Sequence, residues 1–505
     1  MKQRGIPCPD LEDYRRLGRD QVNIHDVIRQ ETSSHLERTA VVEGDRHLSY
    51  GELFDAVDEI ARHLNSSGVE ANQRVALSCA DSIEYIVVSL AILSLGAAIA
   101  PVSPFHTHDE VSAVLSELDV CFSISETVFS PHQETAPVLP GSALERTLFL
   151  QHRSEEGTLP GEYFALGPAF IRFSSGTTGA SKGVVLSHRT ILERTDAADK
   201  ALLMTPDDRV IWVLSMRYHF VVSVLLFLRR AATIVLCGDG FPSSLADGLR
   251  RHRGTFLYAS PFHYQIIANS DLFSKETFAN IRLAVSTAMR LPEIDAQNFH
   301  ERFGIELAQA YGIIEVGLPF LNRSMDPLKR GSVGCILPDY EARIADPDGD
   351  GVGALYLRGS GMFDAYCSPW RNRDQVLTDG WFRTGDIGGI DPDGFLFLQG
   401  RENAVINFAG MKIFPDEVES VLNQHSSIRE SLVYPEAHTR YGELPCADIV
   451  LQEDRQAEGV DATEIRRFCY QHLAPYKVPK ELRCVAHLEK TASGKLKRWK
   501  GDPSG

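Results

Sequence analysis

Residues 171–183 read IRFSSGTTGASKG. A strand-like start runs into Ser, Thr and Gly and then into Lys182. Glycines at 176 and 179 relieve the steric limits on the backbone, so that successive amides can converge on an anion. Ser174, Ser175, Thr177 and Thr178 add hydroxyl donors, and Lys182 adds a positive charge on a flexible stem. The best target for such a surface is a polyphosphate. The segment lacks the GxxxxGK[ST] spacing of the common P-loop, and taken by itself it is also compatible with a plain surface loop.

Other arrangements of reactive residues fail on spacing. Asp346, Asp348, Asp350 and Gly351 imitate the start of a calcium-binding EF-hand loop, but Leu357 stands where the closing bidentate Glu is required. A hairpin turn is expected there instead. His106 and His108 form the only close histidine pair and suit a solvated loop better than a metal site. An HExxH pattern is absent, and the GxGxG at 349–353 lacks the strand and helix that a dinucleotide site needs.

These residues must be positioned by a chain of 505 residues, more than one hydrophobic core normally supports, so at least two domains are expected. The net charge of −17 argues against a nucleic-acid or anionic-membrane binder as the main role. Nine cysteines without a CxxC pair suit a reducing cytoplasm and neither a disulfide framework nor a zinc cluster. The charged N-terminus has no apolar stretch of a secretory signal. The apolar run Ile86–Ala100 is too short to span a bilayer and reads as a buried helix ending near Gly96, followed by a short strand.

Strand and helix patterns alternate along the first part of the chain. Val210–Ser215 reads as a strand, Val221–Arg230 as a helix and Thr233–Cys237 as a strand; the alternation returns at Arg250–Ala259 and Ile281–Ser286. Parallel sheets covered by helices follow from this order. After Gly331, the turns Asp346-Pro-Asp-Gly and Asp391-Pro-Asp-Gly separate short alternating runs, which predicts hairpins. Pro415, with Asp416 and Glu417 behind it, opens a helix in the last part. The fold class is therefore α/β: a large N-terminal domain (1–400) of α/β-layered subdomains plus a β-rich subdomain, and a small α+β C-terminal domain (401–505).

Five segments share one order: Phe173-Ser-Ser-Gly-Thr-Thr-Gly-Ala-Ser-Lys-Gly-Val, Tyr311-Gly-Ile-Ile-Glu315 after a strand-like stretch (Ile305–Ala308), Trp381-Phe-Arg-Thr-Gly-Asp386, Gly400-Arg401 with Gly410 beyond it, and Lys490-Thr-Ala-Ser-Gly-Lys495. As a set they resemble the adenylate-forming superfamily of acyl- and aryl-CoA synthetases, peptide-synthetase adenylation domains and firefly luciferase. The resemblance runs from Leu48 to Arg498.

The resemblance implies ATP and Mg2+ as cofactors and a carboxylic acid as substrate. The acid attacks the α-phosphate, and the acyl group then passes from AMP to a thiol. Ser174, Ser175, Gly176, Thr177, Thr178, Gly179 and Lys182 would hold the phosphates; Glu315 and Thr177 would hold the metal. Tyr311 and Gly312 would meet adenine, Asp386 the ribose hydroxyls, and Arg401 the ribose or phosphate region. Lys495, on a C-terminal domain that rotates in the family, would be the catalytic cation. His219, Phe220, Ser286, Thr287, Ala288 and Ile313 would line the acid pocket. The segment Met216-Arg-Tyr-His219 carries no Asp for a substrate ammonium, which disfavours an α-amino acid and favours an aromatic or aliphatic acid.

Four positions depart from the family pattern: Ser181 for a usual Pro, Ile314 for a threonine whose hydroxyl bonds phosphate, Asn403 for a hinge Asp or Lys, and Glu489 for a frequent Pro. Only ten residues follow Lys495, so a fused carrier domain is not expected. The thiol is thus expected in trans, as CoA or on a separate carrier protein. A luciferase-like oxygenase and an inactive nucleotide-binding relative are the alternative readings. The expected location is cytoplasmic, without a membrane span.

Overall fold

A computed structural model describes residues 22–106, 108–127, 138–153, 159–174, 182–409, 411–452, 461–490 and Leu496. Four sheets organise them, three in the larger N-terminal part and one in the smaller C-terminal part.

The first sheet has nine strands. Its middle is parallel and runs, in spatial order, Ala308–Ile313, Leu283–Ser286, Phe256–Ala259, Arg209–Trp212, Thr233–Leu236 and Thr39–Glu43. The apolar runs in these strands are buried on both faces, as parallel strands with helical crossovers require. The second sheet has eight strands and contains Pro168–Ser174 paired antiparallel to Lys182–Ser187, with Ala365–Cys367 beside the latter.

The third sheet is a four-stranded antiparallel meander, Tyr340–Ala345, Gly353–Gly359, Phe382–Ile390 and Leu396–Arg401. Both Asp-Pro-Asp-Gly segments sit at its hairpin turns as expected; Asp348 and Asp391 accept backbone N–H groups from their own loops. The C-terminal part begins with a short turn, Glu402–Ala404, and builds a five-stranded sheet around the long hairpin Ile428–His438 and Gly442–Leu451. Helix Pro415–Leu422 packs on it and carries the predicted Pro at its start.

The apolar run from Ile86 resolves into the buried helix Ile83–Ser94 and strand Ala98–Pro101. Gly96 sits between them at φ +70, in the left-handed region that ends a helix at little cost for glycine. Among the described residues, no helix is long and apolar enough to cross a membrane.

Two elements differ from the expectations. The helix expected over Val221–Arg230 is divided into Met216–His219, a π-helical turn Phe220–Val224, and Leu225–Arg229. The extra residue in the π turn changes the direction of the side chains before it, and such turns recur where a helix must aim a group into a site. The strand expected over Ile305–Ala308 instead spans Ala308–Ile313, so Tyr311 lies inside the strand and not behind it.

Candidate active site

The candidate residues gather at the carboxyl ends of the parallel strands, where open α/β sheets place their ligand clefts. Strand Ala308–Ile313 brings in Tyr311, strand Leu283–Ser286 leads to Thr287 and Ala288, and strand Arg209–Trp212 leads to His219.

Tyr311 and Glu315 are set by a tight return of the chain. Strand Ala308–Ile313 pairs with Gly317–Asn322, and the register shifts between Tyr311 and Ile313. A Cβ on Gly312 would lie 2.5 Å from the Gly317 carbonyl oxygen, so only glycine permits this irregularity. The turn that follows is held on both sides. Arg194, fully buried, donates to the Ile314 carbonyl at 3.0 Å and to the Gly361 carbonyl at 2.6 and 2.9 Å. The Phe363 N–H donates to the Glu315 carbonyl at 2.8 Å. Burial draws the Arg194 pKa down to about 10, so the group stays charged at neutral pH.

Asp386 reaches the same place from the four-stranded sheet. Gly385 at φ +76 turns the strand just before it, and the Asp386 backbone N–H donates to Thr384 Oγ1 at 3.0 Å. Thr384 in turn donates to the Leu355 carbonyl at 2.9 Å. The carboxylate, 6% exposed, accepts the Tyr311 hydroxyl at Oδ2 and faces Arg401 Nε at 2.9 Å from Oδ1. Burial first, then the Asp386 charge, pushes the Tyr311 pKa well up, so the phenol remains a donor.

Lys182 approaches Glu315 through an intermediary. Its ammonium lies 5.2 Å from the centre of the Tyr366 ring, and the Tyr366 hydroxyl donates to Glu315 Oε1 at 3.2 Å. Tyr366 stands on Ala365–Cys367, directly paired to the strand that Lys182 begins. Ser175, Gly176, Thr177, Thr178, Gly179 and Lys495 lie outside the described residues, and of Ser174 only the backbone strand is described. Next to Lys495, Leu496 packs with Leu432, Val450 and Leu488 on the C-terminal sheet, and Lys490 pairs with Glu430 at 2.6 Å.

On the acid side, the half-buried His219 ring stands edge-on to Trp212 at 6.3 Å and to Tyr258 at 6.1 Å. Burial pushes the Tyr258 pKa up, and the neighbouring Thr287 and Ser223 draw it back in part. Ser286 Oγ is buried without a hydrogen-bond partner, and Ala288 adopts φ +74, an unusual conformation for a residue with a Cβ. Phe220 is wholly buried, edge-on to Tyr85 at 5.6 Å, and Ile313 is partly buried against the main core. Tyr366, Arg194 and Thr384 were not singled out in the sequence. Tyr366 and Arg194 act through partners far along the chain, and no local pattern marks them, whereas Thr384 lies within the Trp381–Asp386 segment.

The AMP-binding enzyme family matches residues 28–367, and the AMP-binding enzyme C-terminal domain matches residues 417–495. The chain belongs to the AMP-binding enzyme family. It is 27% identical to 4-coumarate–CoA ligase 5 of Oryza sativa subsp. japonica over 95% of this chain and 94% of that protein. It is 28% identical to a mitochondrial medium-chain acyl-CoA ligase of Mus musculus, covering 99% of this chain and 94% of that one. Among solved structures, an o-succinylbenzoate CoA synthetase from Bacillus subtilis with its acyl-adenylate intermediate superposes with a TM-score of 0.79 at 22% identity, covering 93% of this chain and 96% of that one. ATP-bound MatB from Rhodopseudomonas palustris gives 0.78 at 23%, covering 94% and 97%. At such identities these two structures establish the fold.

In this AMP-binding enzyme, the turn that carries Glu315 depends on Arg194. Replacing Arg194 with Met leaves the Ile314 and Gly361 carbonyls without their donor, at a cost of about 2–4 kcal/mol. The thermal midpoint of the Arg194→Met variant is therefore expected to fall clearly below that of the parent. An unchanged midpoint would show that other donors satisfy these carbonyls.

Proposed function

We propose that this chain is an AMP-forming acid–thiol ligase. It adenylates an aromatic or aliphatic carboxylic acid with ATP and passes the acyl group to a thiol. The carrying observation is that the single turn 311–315 bears two polar clusters, Tyr311 with Asp386 and Arg401 at its start and Glu315 with Tyr366 and Lys182 at its end. The CoA ligases among the relatives favour CoA as the acceptor; a carrier protein in trans is the finer alternative.

A free carboxylate is a poor acyl donor because oxide would have to leave. Attack on the α-phosphate converts that oxygen into part of a phosphate ester, which leaves readily. Charge builds on the phosphorus oxygens and on departing pyrophosphate, so catalysis rests on fixed cations and donors. In this reading Asp386 orients the nucleotide by accepting its ribose hydroxyls. A carboxylate has about four lone-pair positions, so bonds from Tyr311 and Arg401 leave room for more. Tyr311 and Gly312 border the adenine, and Lys182 and the loop 174–179 hold the β- and γ-phosphates.

Glu315 fits a hard divalent cation: it is a carboxylate with Oε1 already oriented by Tyr366, whose ring also carries the Lys182 ammonium. Mg2+, held there with Thr177, would neutralise phosphate charge. His219, Ser286, Thr287, Ala288 and Ile313 border the acid, with Phe220 behind them.

Lys495 completes the reading as the cation that bridges the acid carboxylate and the α-phosphate. It belongs to the C-terminal domain, whose boundary we place at residue 401. A rotation there, between Gly400-Arg401 and the turn Glu402–Ala404, would deliver Lys495 for adenylation and withdraw it for thiol attack.

The reading is tested by ATP–pyrophosphate exchange across a panel of carboxylic acids. Lys495→Ala is expected to abolish exchange while sparing thiol transfer from preformed acyl-adenylate; retained exchange would overturn the assignment. Ile314 supplies no side-chain donor where a threonine hydroxyl would bond phosphate. Ile314→Thr should leave exchange unchanged or raise it, within the factor that one charge-assisted bond of about 1.5–3 kcal/mol allows. A large loss would show that Ile314 is needed for packing.

A further inference from the structure

Two arginines, Arg217 buried and Arg172 partly buried, lie beside Tyr218, the residue before His219. The Arg172 guanidinium lies 5.3 Å from the centre of the Tyr218 ring and that of Arg217 lies 5.8 Å from it. Arg172 donates Nη1–H to the Tyr218 carbonyl at 2.7 Å, and Arg217 donates Nε–H to Ser215 Oγ at 3.3 Å. The remaining donors are poorly used. Arg172 Nε and Arg217 Nη1 are buried without a hydrogen-bond partner, as are Tyr85 Oη and His106 Nδ1. Arg217 is 8% exposed and Tyr85 0%.

Among the described residues neither guanidinium forms an ion pair. Asp81 faces Arg217, and its Oδ1 accepts the Met216 N–H at 3.0 Å; burial raises its pKa to about 6, so it is still mostly ionised at neutral pH and offsets only part of the two arginines' charge. Glu315 faces Arg172 from the phosphate side. Burial also lowers the Arg172 pKa and that of His106.

An unsatisfied buried donor costs about 1–3 kcal/mol, and more when charged. The unpartnered Arg172 Nε and Arg217 Nη1 beside the Tyr218 ring are a cost that a bound anion would remove. The planar fork of a guanidinium matches a carboxylate in two parallel bonds. The cluster touches the acid side of the cleft through Tyr218 and His219. Its outer cover includes Phe105, a ring 85% exposed that lies 5.9 Å from the Arg217 guanidinium.

We infer that Arg172 and Arg217, with Tyr85, form a subsite for a second carboxylate, so that the acid this enzyme activates is a dicarboxylic acid. The inference rests on the ligase reading above. One carboxylate goes to the α-phosphate and Lys495; the other is held between the arginines. The hydrocarbon or aromatic spacer between them crosses the pocket bordered by His219.

The test compares pyrophosphate exchange with matched pairs, glutarate against valerate, adipate against hexanoate and terephthalate against benzoate. At least one dicarboxylate is expected to exceed its monocarboxylate at least tenfold in kcat/KM. Arg217→Met and Arg172→Met are expected to raise KM for that dicarboxylate at least tenfold and to shift the preference toward the monocarboxylate.

Monocarboxylates that equal or exceed every dicarboxylate would overturn the inference and leave the ligase reading in place. So would a variant that weakens both members of a pair by the same factor. Absence of exchange with every acid, in protein that binds ATP, would overturn the ligase reading and this inference with it. Should either variant fail to fold, the preference of the parent enzyme decides alone.

Discussion

The meeting of Asp386 with Tyr311 and Arg401 is the interaction on which the rest of the cleft depends. Tyr311 belongs to the nine-stranded sheet, Asp386 to the four-stranded meander, and Arg401 to the last residue of that meander before the C-terminal part. One buried carboxylate thus ties three pieces of chain to a single point. A buried carboxylate is stable only when its oxygens are hydrogen-bonded or paired, and here both are. Thr384 fixes the backbone from which it projects. In our reading this carboxylate receives the nucleotide, and its partners orient it before any nucleotide arrives.

The opposite wall is built by the same economy of long-range contacts. Arg194 holds the turn bearing Glu315, and Tyr366 links that carboxylate to the strand from which the phosphate loop departs. Arg172 and Asp81 tie the eight-stranded sheet to the turn that carries His219. The two sheets meet at their functional ends through polar contacts, while their cores rest on apolar packing. Nucleotide, metal and acid positions in our reading are therefore neighbours because the sheets are locked there.

How far the sequence revealed this differs from element to element. The hairpins at Asp346 and Asp391 were legible because Asp-Pro-Asp-Gly determines local backbone geometry by itself. Helix Pro415–Leu422 was legible through its Pro and acidic first turn, and the buried helix before Gly96 through its composition. Glu315 and Asp386 were proposed only as members of an ordered set, and Lys182 first from the composition of its loop; singly, each has an ordinary structural reading. The π turn after His219 was not legible, since an uninterrupted apolar run is compatible with a regular helix. Strand Ala308–Ile313 was misplaced because its end, with Gly312 and Glu315, looks like loop until its partner Gly317–Asn322 is present. Tyr366, Arg194 and Arg172 were missed for one reason: their importance comes from partners that only the folded chain brings near.

The central claim is that the Asp386 crossing forms the nucleotide site. Calorimetric titration of ATP, without any acid present, into the parent protein and into Asp386→Asn tests it most directly. The account predicts at least tenfold weaker ATP binding by the variant, with its fold retained by circular dichroism. ATP binding by a folded Asp386→Asn variant as tight as that of the parent would contradict it.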